Sequence, residues 1–74
     1  MRHKPELTPT GRLIMNAISQ AGAPLSISNL CEKTYGSPYT VNVTARRLVK
    51  QGRLTIIPIE GVLHFVTPSA VAVL

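Results

Sequence analysis

The stretch TVNVTARRLVKQGRL, residues 40–54, decides how the chain is read. Stepped at about 100° per residue, Val41, Ala45, Leu48 and Gly52 fall within one narrow arc. Tyr39, Val43, Arg46, Arg47 and Lys50 fall on the opposite arc, with Thr40 and Asn42 on its flanks. The spacing predicts a helix over about residues 39–51, apolar on one side and basic on the other. A Ser37-Pro38 turn precedes it and Gly52 stops it. Twelve or so residues give roughly 18 Å of helix.

Toward the C-terminus, RLTIIPI (residues 53–59) and VLHFVT (residues 62–67) are rich in β-branched residues. Glu60-Gly61 between them reads as a hairpin turn with Gly61 at positive φ. Pro58 has no N–H for a ladder, so the first strand is edge-like near its tip. Pro68 closes the second strand, and the apolar segment 69–74 can be a third strand, a helical turn or a contact between copies. Toward the N-terminus, Ser26 reads as a helix cap, with Leu25 and Leu30 as a hydrophobic staple. Ile27, Leu30, Cys31 and Thr34 mark the buried side of a helix over 27–35 that Gly36 ends. Ala23-Pro24-Leu25 is a short extended link. Thr8-Pro9 opens a first helix over 9–21, with Leu13, Ile14, Ala17, Ile18 and Ala21 as its apolar face and Gly22 and Pro24 as its stop. Residues 1–7 are polar and basic and read as a flexible arm.

The order is thus helix, short strand, helix, turn, helix, two-stranded hairpin. From Leu25 to Phe65 the chain resembles a winged helix-turn-helix domain of the kind found in bacterial transcription regulators. In that family an apolar residue seven positions before a Leu starts the recognition helix, and Leu-x-x-x-Gly-x-Leu leads into the wing. Val41, Leu48, Gly52 and Leu54 stand at those positions, and LSISNL (residues 25–30) resembles the opening of the family's second helix. The resemblance covers nearly all of residues 9–67. It implies an α+β fold: a three-helix winged helix-turn-helix over 8–68 with a C-terminal two-stranded β-hairpin wing, flanked by the arm 1–7 and the apolar segment 69–74.

The resemblance also implies a function: sequence-specific binding of double-stranded DNA by helix 39–51 in the major groove, as a small transcription regulator. A groove about 12 Å wide admits one helix. Tyr39, Thr40, Asn42 and Val43 then stand where base edges are read; Asn42 suits adenine, and Val43 or the Thr40 methyl suits a thymine methyl. Arg46 reaches a guanine or a phosphate, Arg47 and Lys50 hold the backbone, and Ser37 donates to a phosphate. Lys33 and Arg53 flank the region. One departure is the hairpin tip Pro58-Ile-Glu-Gly61, which is short, apolar and acidic where many family members carry Arg or Lys. This wing is expected to stay off DNA or to contact a protein. The arm, through Arg2, His3 and Lys4, is a candidate for the minor groove.

Charge agrees with that reading. The chain of 74 residues carries a net charge of +5, and no acid occurs from Lys33 to Ile59. A basic small domain suggests a polyanionic partner. The carboxylates are Glu6, Glu32 and Glu60, far apart and with no Asp, which argues against glycosidases, two-metal nucleases and calcium loops. Cys31 stands alone, so no internal disulfide or cysteine zinc site is expected. His3 and His64 share no ligand spacing. With no phosphate loop and no nucleophile elbow either, no enzyme activity, metal, cofactor or small-molecule ligand is expected. No apolar run approaches ~20 residues and the N-terminus lacks a signal-peptide core, so no membrane span and a cytoplasmic location are expected.

A chain of this size buries only about 60% of its unfolded surface. Its mean hydropathy of +0.20 is apolar for a basic protein. Together these suggest a homodimer or cooperative assembly, with residues 68–74 and part of the first helix or the wing as the expected self-contact and strand addition at the wing edge as one route; a small, well-filled core is the alternative source of the hydropathy. Plainer readings stand beside these. The basic face can be merely solvated, Tyr39 can pack over the turn, Val43 can touch a neighbouring element, and Asn42 can be a surface polar residue. The rival class is a protein-interaction or adaptor module on the same fold.

Overall fold

Each helix of the protein begins on a side-chain hydroxyl. The structure, a computed structural model, describes residues 7–69. Helix α1 (Pro9–Ala21) is capped by Thr8, whose Oγ1 accepts from the Gly11 N–H at 3.0 Å. Helix α2 (Ile27–Thr34) is capped by Ser26, whose Oγ accepts from the Asn29 N–H at 3.2 Å. Asn29 Oδ1 accepts from the Ser26 N–H in return, which closes a capping box. Helix α3 (Pro38–Lys50) is capped by Ser37, whose Oγ accepts from the Thr40 N–H at 3.3 Å. Pro9 and Pro38 occupy the first helical position, where a missing N–H leaves no bond unmade. The cap at Ser37 starts α3 one residue earlier than the periodicity alone suggests, and Gly52, at φ 78°, follows its end.

The strand pairing joins the expected hairpin and the expected short strand into one sheet. Strands β2 (Thr55–Ile59) and β3 (Val62–Val66) form that hairpin, in register from Thr55 opposite Val66 to Ile59 opposite Val62. The link at Leu25–Ser26 is itself a strand, β1, antiparallel to β3 through Leu25 opposite Phe65 and Ser26 opposite His64. Among the described residues the fold is therefore α+β, with three helices and a three-stranded antiparallel sheet of order β1-β3-β2. The short strand expected before the second helix is thus present at Leu25–Ser26; its partner, β3, is what a two-residue strand could not announce.

At the hairpin tip both Glu60 (φ 51°) and Gly61 (φ 79°) are left-handed, the requirement of a tight two-residue turn that matches strand twist. Counting back from the closing Ile59–Val62 pair, Ile57 and Thr55 bond to β3, while Ile56 and Pro58 face the open edge. The missing N–H of Pro58 thus falls on the unpaired side of the outer strand. Strand addition by a second copy, one expected route to a dimer, meets an edge with no donor at Pro58.

The core joins all three layers: Ile14, Ala17 and Ile18 of α1, Leu25, Leu30 of α2, Val41, Ala45 and Leu48 of α3, Leu54, and Phe65 of β3. The expected staple, Leu25 with Leu30, is buried at both ends. Thr34 is buried too, its hydroxyl donating to the Leu30 carbonyl at 2.7 Å. Ile27 and Cys31, expected on the buried side, are half-buried and pack against the core. Leu7, expected in the arm, packs there as well.

Two expectations for α1 are corrected. Leu13 is 49% exposed because it lies about 100° around the helix from Ile14, off the face shared by Gly11, Ile14, Ala17 and Ile18. Ala21 is exposed because it ends the helix, at the last residue before the Gly22 cap. A third correction concerns α2. Tyr35, not Gly36, takes the left-handed C-cap conformation, at φ 57°. Gly36 serves a different need: a Cβ there would lie 2.9 Å from Val41 Cγ2, so α3 can approach only a residue without a side chain.

Candidate nucleic-acid interface

Burial of Val41, Ala45 and Leu48 fixes which side of α3 faces outward. With that face in the core, Tyr39, Val43, Arg46, Arg47 and Lys50 are exposed on the opposite side, and Asn42 is half-buried at its margin. Of the residues expected on this surface, Ser37, Tyr39, Thr40, Asn42, Val43, Arg46, Arg47 and Lys50 all belong to α3 or its cap. Tyr39 is 79% exposed, so it does not pack over the turn. Val43 is exposed too, at 38%.

Two side-chain hydrogen bonds organise the face. At its N-terminal end the Ser37 hydroxyl donates to Thr40 Oγ1 at 3.0 Å while accepting from the Thr40 N–H. The two hydroxyls thus sit together at the start of α3, one within the cap and one on the outward face. One turn on, Arg46 Nε donates to Asn42 Oδ1 at 3.0 Å. The two residues are four apart, the spacing that stacks side chains on one helix face.

Toward the C-terminal end, Arg46, Arg47, Val49 and Lys50 line a groove of about 420 Å³ with Ile56 of β2. Three cations over an apolar floor make a surface suited to an anion. Arg47 and Lys50 also sit in the last turn of α3, where the helix dipole favours positive charge. Arg53 lies just beyond, its Nε donating to Gln51 Oε1 at 3.0 Å. Lys33 does not join them. It lines a different groove, of about 590 Å³, with residues of α1, Glu32 and Tyr35.

Sequence reasoning missed two features. Ile56 forms part of the basic groove, which a strand reading of residues 53–59 could not show because the partner is a helix. Tyr35 is 95% exposed beside the turn that leads into α3, and its place one residue past the last turn of α2 was the only signal for it. Around Glu60 at the hairpin tip, Ile59, Val62 and Leu63 are exposed. The arm residues Arg2, His3 and Lys4 and the segment 70–74 lie outside the described residues. Among the described residues no group of His, Cys, Asp or Glu could hold a metal ion, and no helix is long and apolar enough to cross a membrane.

No known protein family matches the chain, and neither curated proteins nor solved structures give a match.

Proposed function

We propose that the protein is a winged helix-turn-helix domain that binds double-stranded DNA by inserting α3 into the major groove, and that it acts as a small transcription regulator. The order α1-β1-α2-α3-β2-β3 supports the fold assignment, with β2-β3 as the wing. One observation carries the function. The outward side of α3 carries Arg46, Arg47 and Lys50 beside polar residues and Val43, in a stretch without a single acid, while its inward side is closed in the core. A thirteen-residue helix presents about 20 Å of that surface to a groove about 12 Å wide.

In this reading Tyr39, Thr40, Asn42 and Val43 meet the base edges, and Arg47, Lys50 and Arg53 hold phosphates beside Arg46. The acidic tip at Glu60 stays off the DNA, because its carboxylate would face phosphate. One module makes a small interface, so two copies on half-sites one helical turn apart supply specificity. Light scattering of the protein alone and on DNA tests that pairing; a single copy at every concentration and on every duplex removes it.

The test of function is fluorescence anisotropy on a random-sequence duplex across a range of salt. The logarithm of affinity falls against the logarithm of salt with a slope of about −0.9 per phosphate contact. The double variant Arg46→Ala/Arg47→Ala, both sites exposed, keeps its fold and loses much of the affinity and slope. A second reading is an adaptor that binds protein through the hairpin tip. The exposed Ile59, Val62 and Leu63 favour it. Such an apolar contact barely responds to salt.

A further inference from the structure

The hydrogen bond between Asn42 and Arg46 changes what this face can read. An amide reads adenine bidentately only when its oxygen accepts from N6 and its nitrogen donates to N7. Here Asn42 Oδ1 already accepts from Arg46 Nε at 3.0 Å. The oxygen assignment is fixed by chemistry, since a guanidinium offers only donors. Asn42 keeps its NH₂ group and one lone pair on Oδ1, and Arg46 keeps both terminal nitrogens, Nη1 and Nη2. At the guanidinium end, every group left to offer is a donor.

Guanine is the base that presents two acceptors, N7 and O6, side by side in the major groove; adenine presents one acceptor and one donor. We propose that Arg46 reads guanine, with Nη1 and Nη2 donating to N7 and O6, and that Asn42 is a positioning residue that holds the guanidinium end-on toward the groove. The proposal rests on the reading that α3 enters the major groove, and it assigns the base contact to Arg46, with Asn42 in support, where the sequence offered Asn42 for adenine. The bond also lowers the cost of ordering a long side chain, because the rotamer is already held before DNA arrives. Asn42 Nδ2 remains free to donate to an acceptor on the neighbouring base.

The rival use of Arg46 is as a phosphate clamp, since it also lines the groove with Arg47, Lys50 and Ile56. The two roles separate cleanly by experiment. Duplexes bound by the full chain are selected from a randomised pool and sequenced, for the wild type, Arg46→Ala and Asn42→Ala. The expected wild-type result is one position per half-site fixed as guanine. Arg46→Ala relaxes that position alone by roughly 5- to 150-fold, the range of one bidentate contact. Asn42→Ala keeps guanine there but weakens the preference. Replacing that guanine with 7-deazaguanine, which lacks the N7 acceptor, weakens wild-type binding and leaves Arg46→Ala binding unchanged.

Three results overturn the proposal. If Arg46→Ala lowers affinity equally for all sequences and reduces the salt slope by about 0.9, Arg46 is a phosphate contact. If Asn42→Ala abolishes an adenine preference, the amide reads the base. If the wild type binds no duplex at low salt, the major-groove reading falls and this proposal with it; only that result touches the proposed function itself.

Discussion

Adjacent residues, Tyr35 and Gly36, carry opposite stability predictions. Tyr35 is held left-handed at φ 57°, a conformation that costs an L-residue with a side chain roughly 1–2 kcal/mol. Its ring is almost wholly exposed, so little packing offsets that strain. Tyr35→Gly is expected to stabilise the fold by about 1 kcal/mol, because glycine is the preferred residue at this cap. Gly36→Ala is expected to destabilise it by about 1–3 kcal/mol, since the new methyl would sit 2.9 Å from Val41 Cγ2 against a closed core. Thermal unfolding reads both, at about 4–8 °C per kcal/mol for a domain of this size. If Gly36→Ala is neutral, α3 has room to shift and Gly36 is there for another reason. The sequence showed that a helix ends near these residues, but not that the glycine answers to Val41 in the next helix. That demand comes from a tertiary contact, which no local pattern encodes.

The helical elements were legible in proportion to their period. In α3, Val41, Ala45 and Leu48 recur at helical spacing and all are buried, so the outward face followed from the sequence alone. In α1 the period was right but the arc was drawn too wide, and Leu13 fell outside it. The sheet was legible as a hairpin because turn chemistry is local, whereas the pairing of the short strand β1 was not, because Leu25 meets Phe65 forty residues on. The residues of the candidate site were readable for the same reason as α3. Their mutual bonds were not, since the rotamers that join Asn42 to Arg46 and Ser37 to Thr40 are set by the folded surface. Within the element, Arg47→Ala and Lys50→Ala are expected to behave alike. Each weakens binding evenly across sequences and reduces the salt slope by about 0.9, with no change in the selected site. A change in site preference in either variant would move that residue from the phosphates to the bases.

At the scale of the molecule, small size makes stability itself a binding assay. A chain this short buries a modest fraction of its surface and sits close to the stability threshold. A ligand that binds only the folded state adds about 2.7 kcal/mol at a hundred times its dissociation constant. On a domain of this size that shifts the unfolding midpoint by roughly 10–20 °C. Duplex DNA at low salt is therefore expected to raise the midpoint of the wild type by that amount. Arg46→Ala/Arg47→Ala is expected to unfold at the wild-type temperature without DNA, because both side chains are exposed and outside the core, and to gain little from its addition. Raised salt is expected to erase the wild-type gain while leaving the midpoint without DNA nearly unchanged, since the core that holds this fold is apolar. A midpoint indifferent to DNA at low salt would assign the basic face to solvent. Attention would then pass to the exposed apolar tip formed by Ile59, Val62 and Leu63 as the working surface of the molecule.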